Sequence, residues 1–206
     1  MKNRLVLLIV LALLPSPLFA TQVVARSVAI DNLSRDAQDI ISFKCKSLKT
    51  EALEKKVILA DSVNVYSGEV LDAAKGGHKA GDSISFKIHN IKSMGMPVLR
   101  CDGSAEAVLF LSRPSDDGSV AIVGLTYGKI DVARTSEDKR LVNITATGRD
   151  IFKDLTARRP SLSLNSRQAE IVQNPQRGQV EVSDFFAIVK EVVKDIERTQ
   201  KKGDER

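Results

Sequence analysis

The sequence predicts an α+β fold that is mainly β, and two observations predict it. Short runs in which apolar and polar residues alternate recur between residues 62 and 147, and turn-rich connections separate them. A clear helical repeat follows at residues 183–197. Short strands at this spacing favour a small barrel or sandwich over alternating β–α units. A closed barrel would also remove the exposed strand edges that invite pairing with other chains.

The elements follow from the period of the apolar residues. In residues 34–59 the apolar residues form two groups, with Lys and Glu between them. This pattern predicts two short amphipathic helices. The predicted strands are residues 62–71, 84–88, 107–111, 120–123 and 126–132, with a sixth at 141–147. Residues 90–103 and 156–178 show no period and are predicted as loops. In the final helix Ser183 is a suitable N-cap, and apolar residues recur along one face.

The first twenty residues have the layout of a secretory signal peptide. Lys2 and Arg4 precede an apolar run that prolines end, and Ala20 supplies the small residue of a cleavage site. Cleavage after Ala25 is the alternative. The run of ten apolar residues is short of the roughly 20 that a membrane-spanning helix needs. We therefore predict a periplasmic or secreted product that has no membrane span after cleavage.

Removal of residues 1–20 leaves 186 residues, which suit one domain with its own core. We place this domain at 26–197, with the barrel at about 60–148, and a charged tail at 198–206. The net charge falls from +5 to +3, because the signal holds two basic residues and no acid. This mild excess, together with the absence of Trp, argues against a nucleic-acid partner.

Cys45 and Cys101 are the only cysteines, and an even count in an exported chain predicts a disulfide. Closing a loop of about 57 residues would stabilise the fold by roughly 4 kcal/mol in the chain-entropy treatment. A redox or metal-binding pair is the alternative. The spacing is not C-x-x-C, and His78 and His89 are the only histidines. We therefore expect neither a metal nor another cofactor.

At the strands, residues 53–132 resemble a group of exported bacterial proteins of uncharacterised function. The shared pattern is a helix ending in Ala-Asp, a V-x-V-x-x-G-x-V strand, a glycine-led strand, a V-L-F-L strand and a V-G-L-x-x-G-K-[FI]-x-V segment. These stand here at residues 60–61, 63–70, 81–88, 108–111 and 123–132. The resemblance implies an OB-like antiparallel barrel of five or six strands, similar in outline to netrin-like modules.

Some netrin-like proteins inhibit metalloproteinases through an N-terminal cysteine. The predicted mature terminus here is Thr21 or Arg26, so the chain departs from that pattern. Catalytic patterns are also missing, since the chain has neither a G-x-S-x-G elbow nor a P-loop. A metal site would need Asp82 and Asp102 to converge on the histidines, and the spacing does not support this. We predict no catalytic residue.

We therefore predict an exported, non-catalytic binding or accessory domain of the bacterial cell envelope. OB-like barrels bind extended ligands on one face and its loops. Here the predicted ligand loop contains Met94, Met96 and Arg100, and the partner is a protein, a peptide or a glycan. One alternative is an exported hydrolase whose site the sequence does not reveal. Another is an assembly component that uses its C-terminal helix for docking.

Overall fold

The computed structural model describes residues 29–57, 60–90, 99–144, 151–152, 155–158, 161–174 and 178–204. This part of the chain forms one antiparallel sheet of seven strands in the order β3-β2-β1-β4-β5-β6-β7. The strands are β1 (Asp39–Val57), β2 (Ala60–Lys75), β3 (Ser83–Asn90), β4 (Glu106–Leu111), β5 (Lys129–Arg134), β6 (Arg140–Asn143) and β7 (Gln179–Glu181). The helices are α1 (Ile30–Asp36), α2 (Leu155–Arg158), α3 (Ser166–Gln173) and α4 (Val182–Asp204), with a 3₁₀ turn at Leu125–Gly128.

The fold is α+β and mainly β, as predicted, but the closed barrel of five or six strands is not confirmed. The sheet is open, with β3 at one edge and β7 at the other. The nearest approach to closure is an isolated bridge between Lys87 and Ser119 and another between Leu111 and Ile122. Strands β6 and β7 continue the sheet outward from β5, so its far end does not return to β3.

The prediction of two helices at residues 34–59 is wrong. Among the described residues of this segment, α1 ends at Asp36 and β1 covers Asp39–Val57. Pairing with β2 along the hairpin provides the backbone hydrogen bonds of β1. Alternating Lys and Glu suit an exposed strand as well as an exposed helix face, so long-range pairing overrides the local helical preference. At the inner end of β1, Ile40 and Ile41 point to opposite faces of the sheet and both are fully buried.

Each face of the sheet carries its own apolar cluster. The helix-side cluster packs α1 and α4 against the sheet and includes Ile40, Phe110 and Val142. The disulfide-side cluster lies on the opposite face and includes Ile41, Phe43, Cys45, Tyr66, Val70, Phe86, Ile88, Leu99, Ala107, Leu109, Leu111 and Ile122. The alternation of side chains along β1 and β4 thus supplies two cores from one set of strands.

The predicted C-terminal helix is present within α4, which extends through the predicted charged tail to Asp204. Its apolar stripe is buried in the helix-side cluster: Phe185, Phe186, Ile188, Val189, Val192, Val193 and Ile196. This stripe is therefore core and is not free for docking. Among the described residues no helix has the length and the apolar content needed to cross a bilayer.

Three smaller predictions need correction. The segment predicted as a loop at 156–178 contains α3. Asn165 and Gln168 form a reciprocal capping box at the start of this helix. The strand predicted at 126–132 starts only at Lys129, because the residues before it form the 3₁₀ turn. A Cβ on Gly128 in that turn would clash with the Val123 carbonyl oxygen. Residues 120–123 contribute a single bridge at Ile122 instead of a full strand.

Candidate binding groove beside the disulfide

Cys45 and Cys101 form a disulfide with their Cα atoms 5.0 Å apart. It lies where β1 leaves β4, and there the Cys45 amide donates to the Ala105 carbonyl at 3.0 Å. The bond holds residues 99–105 against the disulfide side of the sheet. We call these residues the disulfide loop.

The disulfide loop is also held by its own hydrogen bonds. Asp102 Oδ1 accepts from the Ser104 amide at 2.9 Å, the Ser104 hydroxyl at 2.8 Å and the Ala105 amide at 2.8 Å. These donors lower the pKa of Asp102 from its ordinary value. At the base of the loop, Tyr66 is buried beneath Leu99, and this burial raises the pKa of the Tyr66 phenol, although hydrogen bonds to the Leu99 backbone and Asn64 oppose the shift.

A groove of about 690 Å³ lies between the disulfide loop and the sheet. The pairing of the strands sets the floor of the groove. Ala107 on β4 lies opposite Asp131 on β5, and Ala133 on β5 and Asn143 on β6 lie on the same face of the sheet. Ala105, Ala107 and Ala133 are too small to fill the space above the strands. Asp131, Asn143 and Gln179 are exposed there. Ile130, Val132, Val142 and Val180 of β5–β7 face the helices instead, which leaves this face largely polar.

Charges of both signs line the groove and largely cancel. Arg100 and Asp102 stand on the loop wall and Asp131 on the floor, whereas Arg134 borders the groove from the other face of β5, where it approaches Glu106. Asp131 pairs with Lys129 at 3.0 Å, and Arg134 pairs with Asp138 at 2.7 Å. The Asn143 and Gln179 amides add donors and acceptors without charge. This chemistry suits an extended polar ligand with little net charge.

A buried carboxylate lies on the helix side of the same strands, because Glu106 stands opposite Val132, which packs against the helix-side cluster. The Glu106 side chain is only 2 % exposed and accepts a hydrogen bond from the Ser42 hydroxyl at 2.7 Å. Arg140 Nε lies 3.0 Å from both carboxylate oxygens, and Arg140 Nη2 contacts Glu106 Oε1 as well. Arg134 approaches more loosely, with Nη2 3.7 Å from Glu106 Oε2. Glu106 therefore fixes two arginines and joins β1, β4, β5 and β6.

The residues predicted as a ligand loop have different outcomes. Arg100 is exposed and lines the groove. Met94 and Met96 lie outside the described residues. The sequence reasoning missed Arg134 and Gln179. Polar residues at every second position of β5 offered a signal for Asp131, but Gln179 joins the groove only because β7 pairs with β6 far along the chain.

A second polar cluster contains a histidine, an aspartate and two serines. His89 Nε2 lies 2.8 Å from Asp117 Oδ2, and the hydroxyls of Ser115 and Ser119 lie 2.6 and 2.7 Å from Asp117 Oδ1. These contacts lower the pKa of Asp117, the Ser115 hydroxyl most. In a Ser-His-Asp triad the serine bonds to the histidine, whereas here both serines bond to the aspartate. This arrangement closes a turn and does not activate a nucleophile.

The other metal ligands that the sequence offered do not converge. His78 Nε2 lies 4.0 Å from Asp39 Oδ1, separate from the His89 pair. Within the described ranges, no group of three or more His, Cys, Asp or Glu side chains is placed to hold a metal ion. The groove is thus the best-developed candidate site in this part of the molecule.

Comparison of the chain with models of protein families, with curated proteins and with solved structures gives no match.

Proposed function

We propose that this protein is an exported, non-catalytic binding domain of the bacterial cell envelope, and that its groove takes an extended, polar peptide segment. The observation that carries the proposal is the groove itself, which runs along open strand faces beside a loop that a disulfide holds in place. A preformed groove lowers the ordering cost of binding. The resemblance to OB-like modules supports the same mode, since such modules bind extended ligands on one face.

The chemistry of the lining favours a peptide over the other predicted partner classes. Sugar rings commonly pack on aromatic faces, but the aromatic residue at this groove, Phe43, is 1 % exposed. Amides at Asn143 and Gln179, together with charged groups of both signs along the lining, match the donors and acceptors of a peptide backbone. The floor of small residues leaves room for the backbone to approach the sheet.

The disulfide also supports export, because such bonds persist mainly in oxidising compartments. The proposed signal peptide lies outside the described residues. Sequencing the N-terminus of protein recovered from the periplasm or the medium tests this part of the proposal. We expect the chain to start at residue 21 or 26, and a start at Met1 would contradict it.

The binding proposal is tested by filling the groove. Ala133 is exposed on the groove floor, so Ala133→Trp places a large ring there without disturbing either apolar cluster. Ala157→Trp, on an exposed position of α2, is the matched control. We expect peptides selected from a random display library to bind saturably to the unchanged protein. Their dissociation constants should rise about tenfold or more in Ala133→Trp and stay unchanged in Ala157→Trp.

Two results would overturn the binding proposal. One is the failure of the library to yield any saturable binder. The other is the selection of binders whose affinity is the same in both tryptophan variants, since these bind elsewhere. Circular dichroism of each variant shows that the fold is retained before the affinities are compared.

A further inference from the structure

We propose that two copies of this chain pair in antiparallel fashion through the outer half of β1, residues 46–57. The inner half of β1 lies between two strands, since β4 pairs with it from Asp39 to Lys44. Beyond that point the described strands pair with β1 on the β2 side alone. The outer half therefore presents a strand edge with backbone donors and acceptors, which is a template for another strand.

The side chains along this edge are exposed from Lys46 to Ala52. Leu48 is 38 % exposed, and it is one of two large apolar side chains exposed among the described residues. An exposed apolar residue on a strand edge is unusual, because folded proteins normally protect such edges with charge, proline or a covering segment. The charges of this edge have both signs, with four lysines and two glutamates between Lys46 and Lys56, so they can attract a matching edge as well as repel one.

The charges are arranged so that the edge complements itself. In an antiparallel pair centred on Thr50, Lys49 of each copy lies opposite Glu51 of the other. In the same register Leu48 lies opposite Ala52. Residues directly opposite in an antiparallel pair share a face of the sheet, so each of these pairs is in reach. The two-fold symmetry doubles every such contact.

Neighbouring registers lose this complementarity. Centring the pair on Lys49 places that lysine opposite its own copy. Centring it on Glu51 places two glutamates opposite each other. Like charges directly opposite destabilise strand pairing. Of the three registers, the sequence favours the one centred on Thr50, and a second copy of the chain is the occupant that fits it.

The geometry has a consequence for the molecule as a whole. A two-fold axis that relates edge-to-edge strands runs perpendicular to the sheet, so the disulfide sides of both copies face the same direction. The regular ladder of outer β1 runs from Ser47 to Ala52, between a bulge at Lys46 and a register shift after Ala52, so the paired stretch is about 20 Å long and makes a small interface and a readily reversible dimer. This inference is independent of the proposed groove function, since it uses a different surface.

Variants that exchange the charges of Lys49 and Glu51 test the pairing. Sedimentation of each purified protein over a range of concentrations measures how strongly it dimerises. We expect the unchanged protein to show a reversible monomer–dimer equilibrium. Lys49→Glu and Glu51→Lys should each weaken dimerisation about tenfold, because each creates two pairs of like charges across the axis. The double variant with both changes exchanges the charges and should return the dissociation constant to near that of the unchanged protein.

Crosslinking provides a second readout that does not depend on charge. Thr50→Cys places two thiols opposite each other at the axis, within disulfide range, so oxidation should yield a covalent dimer. Ser47→Cys is the matched control, since its two copies lie six residue positions apart, about 20 Å. A protein that stays monomeric at every concentration overturns the inference. So does a dimer that none of the charge variants weakens, or equal crosslinking at positions 47 and 50.

Discussion

The two faces of the sheet are closed in different ways. On the helix side, α1 and α4 cover the strands, and the apolar stripe of α4 is fully integrated into the core. On the disulfide side, apolar residues are closed over by loops near β1–β4, while the same face of β5–β7 stays open as the groove. The helix side is thus closed by helices along its length, whereas the disulfide side is closed only over β1–β4 and leaves the polar face of β5–β7 uncovered among the described residues.

The largest expected effect tests the helix side. Phe185 is fully buried within its cluster, so Phe185→Ala removes a large apolar group and leaves a cavity. We expect the free energy of unfolding to fall by about 4 kcal/mol in urea titrations. Leu48→Ala, on the exposed outer half of β1, should cost less than about 1 kcal/mol. Similar losses in the two variants would contradict the assignment of the main core to the helix side.

Removing the disulfide tests the other face. Cys45→Ala combined with Cys101→Ala should lower the free energy of unfolding by about 3 kcal/mol, because the bond closes a long loop in the unfolded chain. Hydrogen exchange should become faster in the disulfide loop and inner β1, while the amides of α4 should lose protection only as far as global stability falls. If the amides on both faces lost protection equally, and by more than the fall in the free energy of unfolding explains, the disulfide would not have a local role.

The Glu106 cluster allows a comparison between two arginines on one carboxylate. Arg140→Met removes the closer partner and leaves a buried charge, and we expect a loss of about 2 kcal/mol, less than for a fully buried pair because Arg140 is 31 % exposed. Arg134→Met removes the looser contact and should cost less than about 1 kcal/mol. Urea titrations at one pH distinguish the two. Equal losses would show that the distances do not rank the interactions.

The smallest effect concerns pH. The pKa of Tyr66 is raised in the folded state, so the contribution of its neutral phenol is present below the unfolded pKa of about 10 and is lost as pH rises through the folded value. The unchanged protein should therefore lose more stability between about pH 8 and pH 11 than Tyr66→Phe does. Paired urea titrations at both pH values measure this difference. An identical pH dependence would contradict the burial of an ionisable phenol beneath Leu99.

The sequence predicted some elements well and missed others for physical reasons. The strands at 84–88 and 107–111 were found because one alternates in polarity and the other is a continuous apolar run, and both lie within β3 and β4. β1 was missed because its pattern of Lys and Glu is compatible with either a helix or an exposed strand. The pairing of β1 with β2 decides between them, and that pairing is not encoded in the period of β1 alone.

The groove could be predicted only in part. Arg100, one of the predicted ligand-loop residues, lies in the disulfide loop, and the disulfide places that loop at the groove wall. Asp131 and Gln179 come from strands far apart in the chain, and only the order of the sheet brings them together. The sequence alone could not tell that the sheet stays open at β7, and the groove depends on that opening.

Local pattern was enough to determine the final helix and the dominance of β structure, and the count of cysteines was enough to pair Cys45 with Cys101. These features depend on period and composition, which neighbouring residues carry by themselves. Tertiary structure decided that β1 is a strand, that the sheet is open and that its polar face forms a groove. These features depend on which distant segments exchange backbone hydrogen bonds, and that choice is settled by the energy of the whole fold.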